Sequence, residues 1–420
     1  MNTDLIVMIP FVIMLLAVAF MPFVHSTWWN LHFKKVSFFL AGIIILYYLL
    51  VRHDVPRLCI LLSEYFSFIV LIGSLFLVTG GIYLRVQGEA TPLRNTIFLI
   101  VGSIMAVFIG TTGASMLLIR PWIHSNRYRI TAFHIIFFIF MISNIGGCLS
   151  PIGDPPLFLG YLRGVPFFWL FQHLWFAWLL SMSLLAAIFY FLDRKNFLKA
   201  PLSVRTFETY NEAWTFKGLF NLFFLAIIIG AVFLPSPWRE IMMILAALSS
   251  YLLTSKNIFV ANKFTFHPIE EVAWLFFGIF ATMVPVLDYL EERVSLTSSY
   301  PALKPIHFYY LTGFLSTCLD NAPTYLALLQ LHLGMNGMSI EKVNDVAYVA
   351  MNNPQFLTAI ALGAVFFGAT TYIGNGPNFM VKSIAEDAEI RMPNFVHYIL
   401  CYSLPILAPI LFLIGWVFFH

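Results

Sequence analysis

The chain has 420 residues, of which 60% are hydrophobic, 17% aromatic and only 10% charged, with a formal net charge of +3. So little charge cannot cover the surface of a water-soluble fold of this size, which leaves a polytopic membrane protein embedded in a lipid bilayer. The small, dispersed positive charge argues for no nucleic-acid partner, and the absence of GxGxxG, Walker, HExxH and nucleophile-elbow motifs supports neither an ATP-driven motor nor an enzyme. No cofactor is therefore expected.

The run from Leu5 to Val24 follows Met1-Asn-Thr-Asp4 without the basic start of a signal peptide, and is read as a retained first helix. Runs long enough for a hydrocarbon core of ~30 Å then recur. In chain order the apolar segments are 5–24, 36–51, 65–84, 95–119, 130–162, 166–192, 218–235, 241–254, 272–288, 306–333, 355–384 and 395–419. The polar stretch 193–217 carries Arg194, Lys195, Lys199, Arg205 and Lys217, so it is read as a cytoplasmic linker. It separates an N-terminal repeat, 1–192, from a C-terminal repeat, 218–420. Trp28, Trp29, Trp122, Trp169, Trp214 and Trp238 are read as interfacial belts. The four cysteines, Cys59, Cys148, Cys318 and Cys401, show no metal or disulfide spacing.

The repeats show an echo. Gly147-Cys-Leu-Ser-Pro-Ile-Gly-Asp-Pro-Pro-Leu-Phe158 aligns, at a shift of 221 residues, with Gly368-Ala-Thr-Thr-Tyr-Ile-Gly-Asn-Gly-Pro-Asn-Phe379. Paired Gly/Pro-broken helices in two halves are the sequence mark of a secondary transporter's substrate site. Loop charge fixes the topology. If 95–119 and 306–333 are re-entrant hairpins, 16 Lys/Arg lie inside and 7 outside, against 13 and 10 if every segment spans. The positive-inside rule favours hairpins, so the repeats are expected to be inverted, with both termini outside. Each hairpin has a polar turn, Gly110-Thr-Thr-Gly-Ala-Ser115 and Ser316-Thr-Cys-Leu-Asp-Asn-Ala-Pro323.

Asp154 stands alone among charged residues between Ile130 and Leu162, and Asp320 between Pro305 and Ile340. An ionised carboxylate at mid-membrane costs roughly 2.5 to 3.5 kcal/mol on insertion scales, so each should face a polar cavity unless it caps a helix near the interface. Unwound carbonyls, hydroxyls and amides beside a carboxylate make an oxygen site for a hard cation such as Na⁺. Thr112, Thr317, Asn144 and Ser150 are the candidate neutral ligands read beside the acids. Asn375 matches Asp154 across the repeats, and Thr371 stands in the same second break. A pair of carboxylates at one cation site exchanges protons for that cation, because both compete for the same oxygens. His134 lies on the Asn144 face of one helix, as a core histidine or a proton relay. Arg120 is read as reaching for the cytoplasmic surface, Lys382 as interfacial, and Asp193, Glu208, Glu270, Glu271, Glu291 and Glu292 as solvated loop charges.

Ser316-Thr-Cys-Leu-Asp-Asn-Ala-Pro-Thr324, Gly147 to Asp154 and Tyr372-Ile-Gly-Asn-Gly-Pro-Asn-Phe-Met-Val-Lys-Ser-Ile-Ala-Glu386 resemble the ion-transporter superfamily of NhaD-type sodium/proton antiporters, arsenite permeases and citrate/dicarboxylate carriers. The closest likeness is to the NhaD-like and citrate-transporter branch. The resemblance covers most of the chain. It implies inverted repeats, each with a re-entrant hairpin and a broken helix, and places Asp154, Asp320, Asn321, Asn375 and Asn378 in the site-forming motifs. Thr111-Thr-Gly-Ala-Ser115 lacks the Ser-Asn-Thr signature that carboxylate carriers use, which speaks against a dicarboxylate. The expected activity is Na⁺/H⁺ antiport with Asp154 and Asp320 as ligands, and the alternative is a Na⁺- or H⁺-coupled carrier of a citrate-like acid or an oxyanion. A bacterial inner membrane and a homodimer complete the expectations.

Overall fold

The computed structural model describes residues 3–85, 90–199, 215–296 and 303–420. Arg205, Glu208, Trp214 and most of the expected linker lie outside the described residues. In the first half the helices are α1 (Thr3–Val7), α2 (Ile9–Val24), α3 (Ser26–Tyr47), α4 (Val55–Gly80), α5 (Pro92–Ser125), α6 (Ala132–Met141), α7 (Pro155–Leu162) and α8 (Trp169–Lys199). The second half has α9 (Asn221–Ala231), α10 (Trp238–Leu253), α11 (Lys256–Ala261), α12 (His267–Leu296), α13 (Pro305–Cys318) and α14 (Asn321–Met335). It ends in α15 (Val343–Asn352), α16 (Pro354–Gly368), α17 (Gly376–Asp387), α18 (Phe395–Tyr398) and α19 (Ala408–Phe419).

Among the described residues, eight helices are long and apolar enough to cross a membrane, or nine if α15 and α16, bent by 100°, form one span. That is fewer than the expected segments because Gly, Pro and Asn cut several of them into pieces too short to cross alone. The molecule is an all-helical polytopic membrane protein with one exception. Strands β1 (Tyr83–Arg85) and β2 (Thr215–Lys217) pair antiparallel, with Tyr83 opposite Lys217. A three-residue ribbon carries no periodicity that a sequence reading could detect.

α5 is not straight. At Gly110 the backbone adopts φ 78°, ψ 154°, a region open only to glycine, and the chain doubles back there. Asn95 and Asn126, which would stand roughly 45 Å apart on a straight helix, instead hydrogen-bond, Nδ2 to Oδ1, at 2.7 Å. α13 and α14 likewise return on one another about the break at Leu319-Asp320, bringing the Phe308 and His332 rings within 5.4 Å. The arms of the two hairpins end at opposite ends of the molecule. Asp193, Arg129 and Ala90 gather at the mouth of α5, beside the ribbon. Beyond the mouth of the α13–α14 pair, Glu341 meets Arg57 at the start of α4.

Two readings of side chains are corrected by packing. Asp193 is fully buried rather than solvated: it pairs with Arg129, accepts from Asn95 Nδ2 at 2.9 Å, and lies 3.0 Å from His134 Nε2. His134 is therefore held as a core histidine, its Nδ1 accepting from the Thr131 amide at 3.2 Å. Trp29, Trp122 and Trp169 are buried, whereas Trp28 and Trp238 are exposed as a belt residue would be. Trp122 and Trp169 donate through Nε1 to the carbonyls of His134 and Ala350, so they tie helices together instead of facing headgroups.

Candidate functional site

The two broken helices and the two hairpin tips meet at Asp154. Pro155 and Pro156 open α7 without amide hydrogens to satisfy, leaving Asp154 extended at φ −146°, ψ 143° with no capping bond. Its carboxylate turns into the protein instead, where it is 1% exposed. Oδ1 accepts from Thr111 Oγ1 at 2.7 Å and Asn375 Nδ2 at 3.0 Å, and Oδ2 accepts from Asn321 Nδ2 at 2.5 Å. These three donors come from α5, from the break before α17 and from the start of α14, and all are neutral. Two buried amide oxygens have no hydrogen-bond partner, Asn321 Oδ1 on the amide that reaches Asp154 and Asn144 Oδ1 beside Gly368. Unpaired buried oxygens are costly unless something else engages them.

The breaks themselves are pinned by matching contacts. Ser150 Oγ donates to the Val107 carbonyl and accepts from the Gly153 amide at 3.1 Å. Thr371 Oγ1 donates to the Thr317 carbonyl at 2.8 Å and accepts from the Gly374 amide at 3.1 Å. Thr317 Oγ1 accepts from Thr370 Oγ1 at 2.9 Å. Asn378 Nδ2 holds the carbonyls of Gly368 and Thr371, both at 2.9 Å, and its Oδ1 accepts from Asn144 Nδ2 at 2.7 Å. Ser150, Thr371, Thr317, Asn378 and Asn144 thus hold backbone and one another, while Asn321 and Asn375 reach Asp154.

Thr111 rather than Thr112 supplies the hydroxyl to Asp154. Only the turn at Gly110 decides which of two adjacent threonines points inward, and spacing could not show it. Thr112 lines a cavity of about 20 Å³ together with Thr111, Gly153 and Asp154, walled by Phe68, Leu71 and Leu75 of α4. That volume admits one water-sized occupant. Asp320 differs: it is partly exposed, and caps α14 by accepting from the Ala322 amide at 3.1 Å. It also lines a second cavity, about 90 Å³, with Asn375, Gly376, Tyr372 and Phe276 of α12. Both functions of a lone acid, cap and cavity group, fall to this residue.

The second cavity shares Asn30, Pro268, Glu271, Phe379 and Met380 with a third, about 440 Å³, which is also lined by Arg120, Lys263, His267 and Asp387. Arg120 thus borders a cavity instead of stretching along a surface. Lys382 pairs with Glu386 one turn on, at 2.9 Å. α4 and α12 give the depth of these features. The large cavity touches Gly80 at the end of α4 and His267 at the start of α12, whereas the cavity at Asp154 touches the middle of α4 and the one at Asp320 runs along α12 from Pro268 to Ile279. The far ends carry a charge cluster, in which Arg57 pairs with Asp288 at 2.7 Å and with Glu341, and Arg163 pairs with Glu64 at 2.6 Å. No three His, Cys, Asp or Glu side chains cluster as a metal site among the described residues, so a cation at Asp154 would be held largely by neutral oxygens.

Paired helix breaks around a buried acid belong to transporters, and the sequence comparison agrees. A family model described as "Putative citrate transport" matches residues 1–419. The chain belongs to this citrate-transport family. No curated protein matches it. Membership in the citrate-transport family, with the apolar helices above, makes the chain an integral membrane protein of the secondary-transporter kind.

Proposed function

We propose that the chain exchanges Na⁺ or another small cation for H⁺ by alternating access, with Asp154 and Asp320 as the carboxylates for which cation and proton compete. One observation carries this reading: Asp154 has only neutral hydrogen-bond partners, Thr111, Asn321 and Asn375, and borders a space of about 20 Å³. That space suits a dehydrated small cation and no organic acid. Asn321 offers the proton a place as well. With Asp154 ionised its Nδ2 donates, and when Asp154 takes a proton, a flip of the amide turns the free Oδ1 toward the new O–H. The Asp154–Asn321 contact is thereby kept in both the ionised and the protonated form.

The reading includes inverted repeats, with 95–119 and 306–333 as re-entrant hairpins and both termini outside. It is supported by the folded-back arms, by their opposite mouths, and by the matched Ser150 and Thr371 contacts. In this arrangement the large cavity opens to the cytoplasm and the Arg57–Glu341 and Arg163–Glu64 pairs seal the outer side. A second reading, a cation-coupled carrier of a citrate-like acid, is favoured by the family description and by Arg120 and Lys263 in a cavity of about 440 Å³. Proteoliposomes holding a pH gradient separate the two. Na⁺ or Li⁺ should dissipate the gradient without citrate, with apparent cation affinity falling as [H⁺] rises. An affinity independent of pH, or flux that requires citrate, would give first place to the carrier.

A further inference from the structure

Glu271 has the geometry of a transport residue that the exchange site does not yet use. It sits one turn inside α12, where its neighbour Glu270 pairs with Lys34 at the surface at 2.5 Å. No hydrogen bond or ion pair holds Glu271 among the described residues, and its side chain lines both the large cavity and the one containing Asp320. The other residues common to both cavities are Asn30, Pro268, Phe379 and Met380, so at this neck Glu271 is the only shared acid. Arg120, Lys263, His267 and Asp387 line the large cavity, and Asp320 and Tyr372 the small one.

A cation losing its water on the way inward needs an oxygen ligand between Arg120-flanked solvent and Asp320, and a proton leaving Asp320 needs an acceptor. We propose that Glu271 is a relay carboxylate connecting the large cavity with Asp320. On this route the Asp320 O–H bond breaks as its proton passes through water in the shared cavity to a Glu271 oxygen, where a new O–H bond forms; the incoming cation takes the vacated Asp320 oxygen, and Glu271 later gives the proton to water. The inference rests on the exchange reading.

The test uses the full chain in proteoliposomes, with Na⁺ supplied separately from each side. Glu271→Gln should raise the half-saturating Na⁺ concentration on the linker side roughly tenfold, the effect of losing one ligand worth about 1.4 kcal/mol. The opposite side should change little, and Glu271→Asp should restore most of the loss. A packing defect would weaken both sides alike and would overturn the relay. So would unchanged kinetics in Glu271→Gln. If that variant fails to fold, Glu271→Cys with Cys59, Cys148, Cys318 and Cys401 replaced by alanine provides the second measurement. A membrane-impermeant thiol reagent should reach it from the linker side, more slowly with Na⁺ present, and no reaction from that side would overturn the proposal. A wild-type protein without cation-dependent proton flux would overturn the exchange reading itself, whatever Glu271 does.

Discussion

Asp154 and Asp320 look alike in the sequence, yet their surroundings separate their roles. Asp154→Asn keeps the shape of the side chain, and the clash of its new NH₂ with Asn321 is relieved by flipping that amide, whose Oδ1 is free. We expect thermal stability in detergent to change by no more than about 1 kcal/mol, with weaker Na⁺ affinity and fewer protons exchanged per cation; a variant that merely slows at unaltered affinity would contradict this. For Asp320, asparagine is as good a helix cap as aspartate. Asp320→Asn should insert normally and not transport. Wild-type exchange in that variant would leave Asp320 as a cap alone. Both acids were legible as lone charges between apolar runs, and so was Asn375 through the echo of the repeats. The burial of Asp193 and the position of Glu271 were not, because each depends on side chains contributed from distant parts of the chain.

At the level of the elements, the breaks depend on glycines of two kinds. Gly110 is needed for its dihedral angles, since φ is 78° and a Cβ would lie 3.2 Å from the Ile152 carbonyl. Gly153 is needed for space, since a Cβ there would fall 1.9 Å from the Gly147 carbonyl. Gly110→Ala should cost about 1–3 kcal/mol of backbone strain and lower the melting temperature in detergent while leaving a folded, slower protein. Gly153→Ala has no such route and should lose the monodisperse folded species in size-exclusion chromatography; a well-folded, active Gly153→Ala protein would mean that Gly147 and Gly153 do not pack this closely. The positions of the breaks could be read from clustered Gly, Pro, Asp and Asn. Which threonine faces inward could not, nor could the ribbon, because three residues set neither a period nor a partner.

For the whole molecule, a large cavity lies at one end and a charge cluster at the other. Arg163 is buried, and among the described residues Glu64 is its only carboxylate partner. Glu64→Gln therefore strands a buried charge, at roughly 3–5 kcal/mol when one partner is removed, and that cost falls on the arrangement that closes this end. A cysteine at Thr112 should react faster with an impermeant reagent from the outside in this variant, and Glu64→Gln/Arg163→Gln should recover part of the closure. Unchanged reactivity would mean that this pair does not gate. The orientation has its own check, as cysteines at Arg127 and Asn336 should label from opposite faces; labelling from one face would remove the hairpin topology. Loop charge alone was enough to propose that orientation, but which face is open could not be read without the packing.

The donors around Asp154 also bear on how the protein is made. Thr111 belongs to the half synthesised first, whereas Asn321 and Asn375 emerge from the ribosome more than 150 residues after Asp154. Until they arrive, the first half must lodge a carboxylate in the bilayer with a single hydroxyl for company, and the matching Asn144 lacks its contact with Asn378. The two halves are thus obliged to mature together. A ribosome stalled at the linker would leave a membrane-inserted intermediate that quality-control proteases can recognise by its unpaired acid.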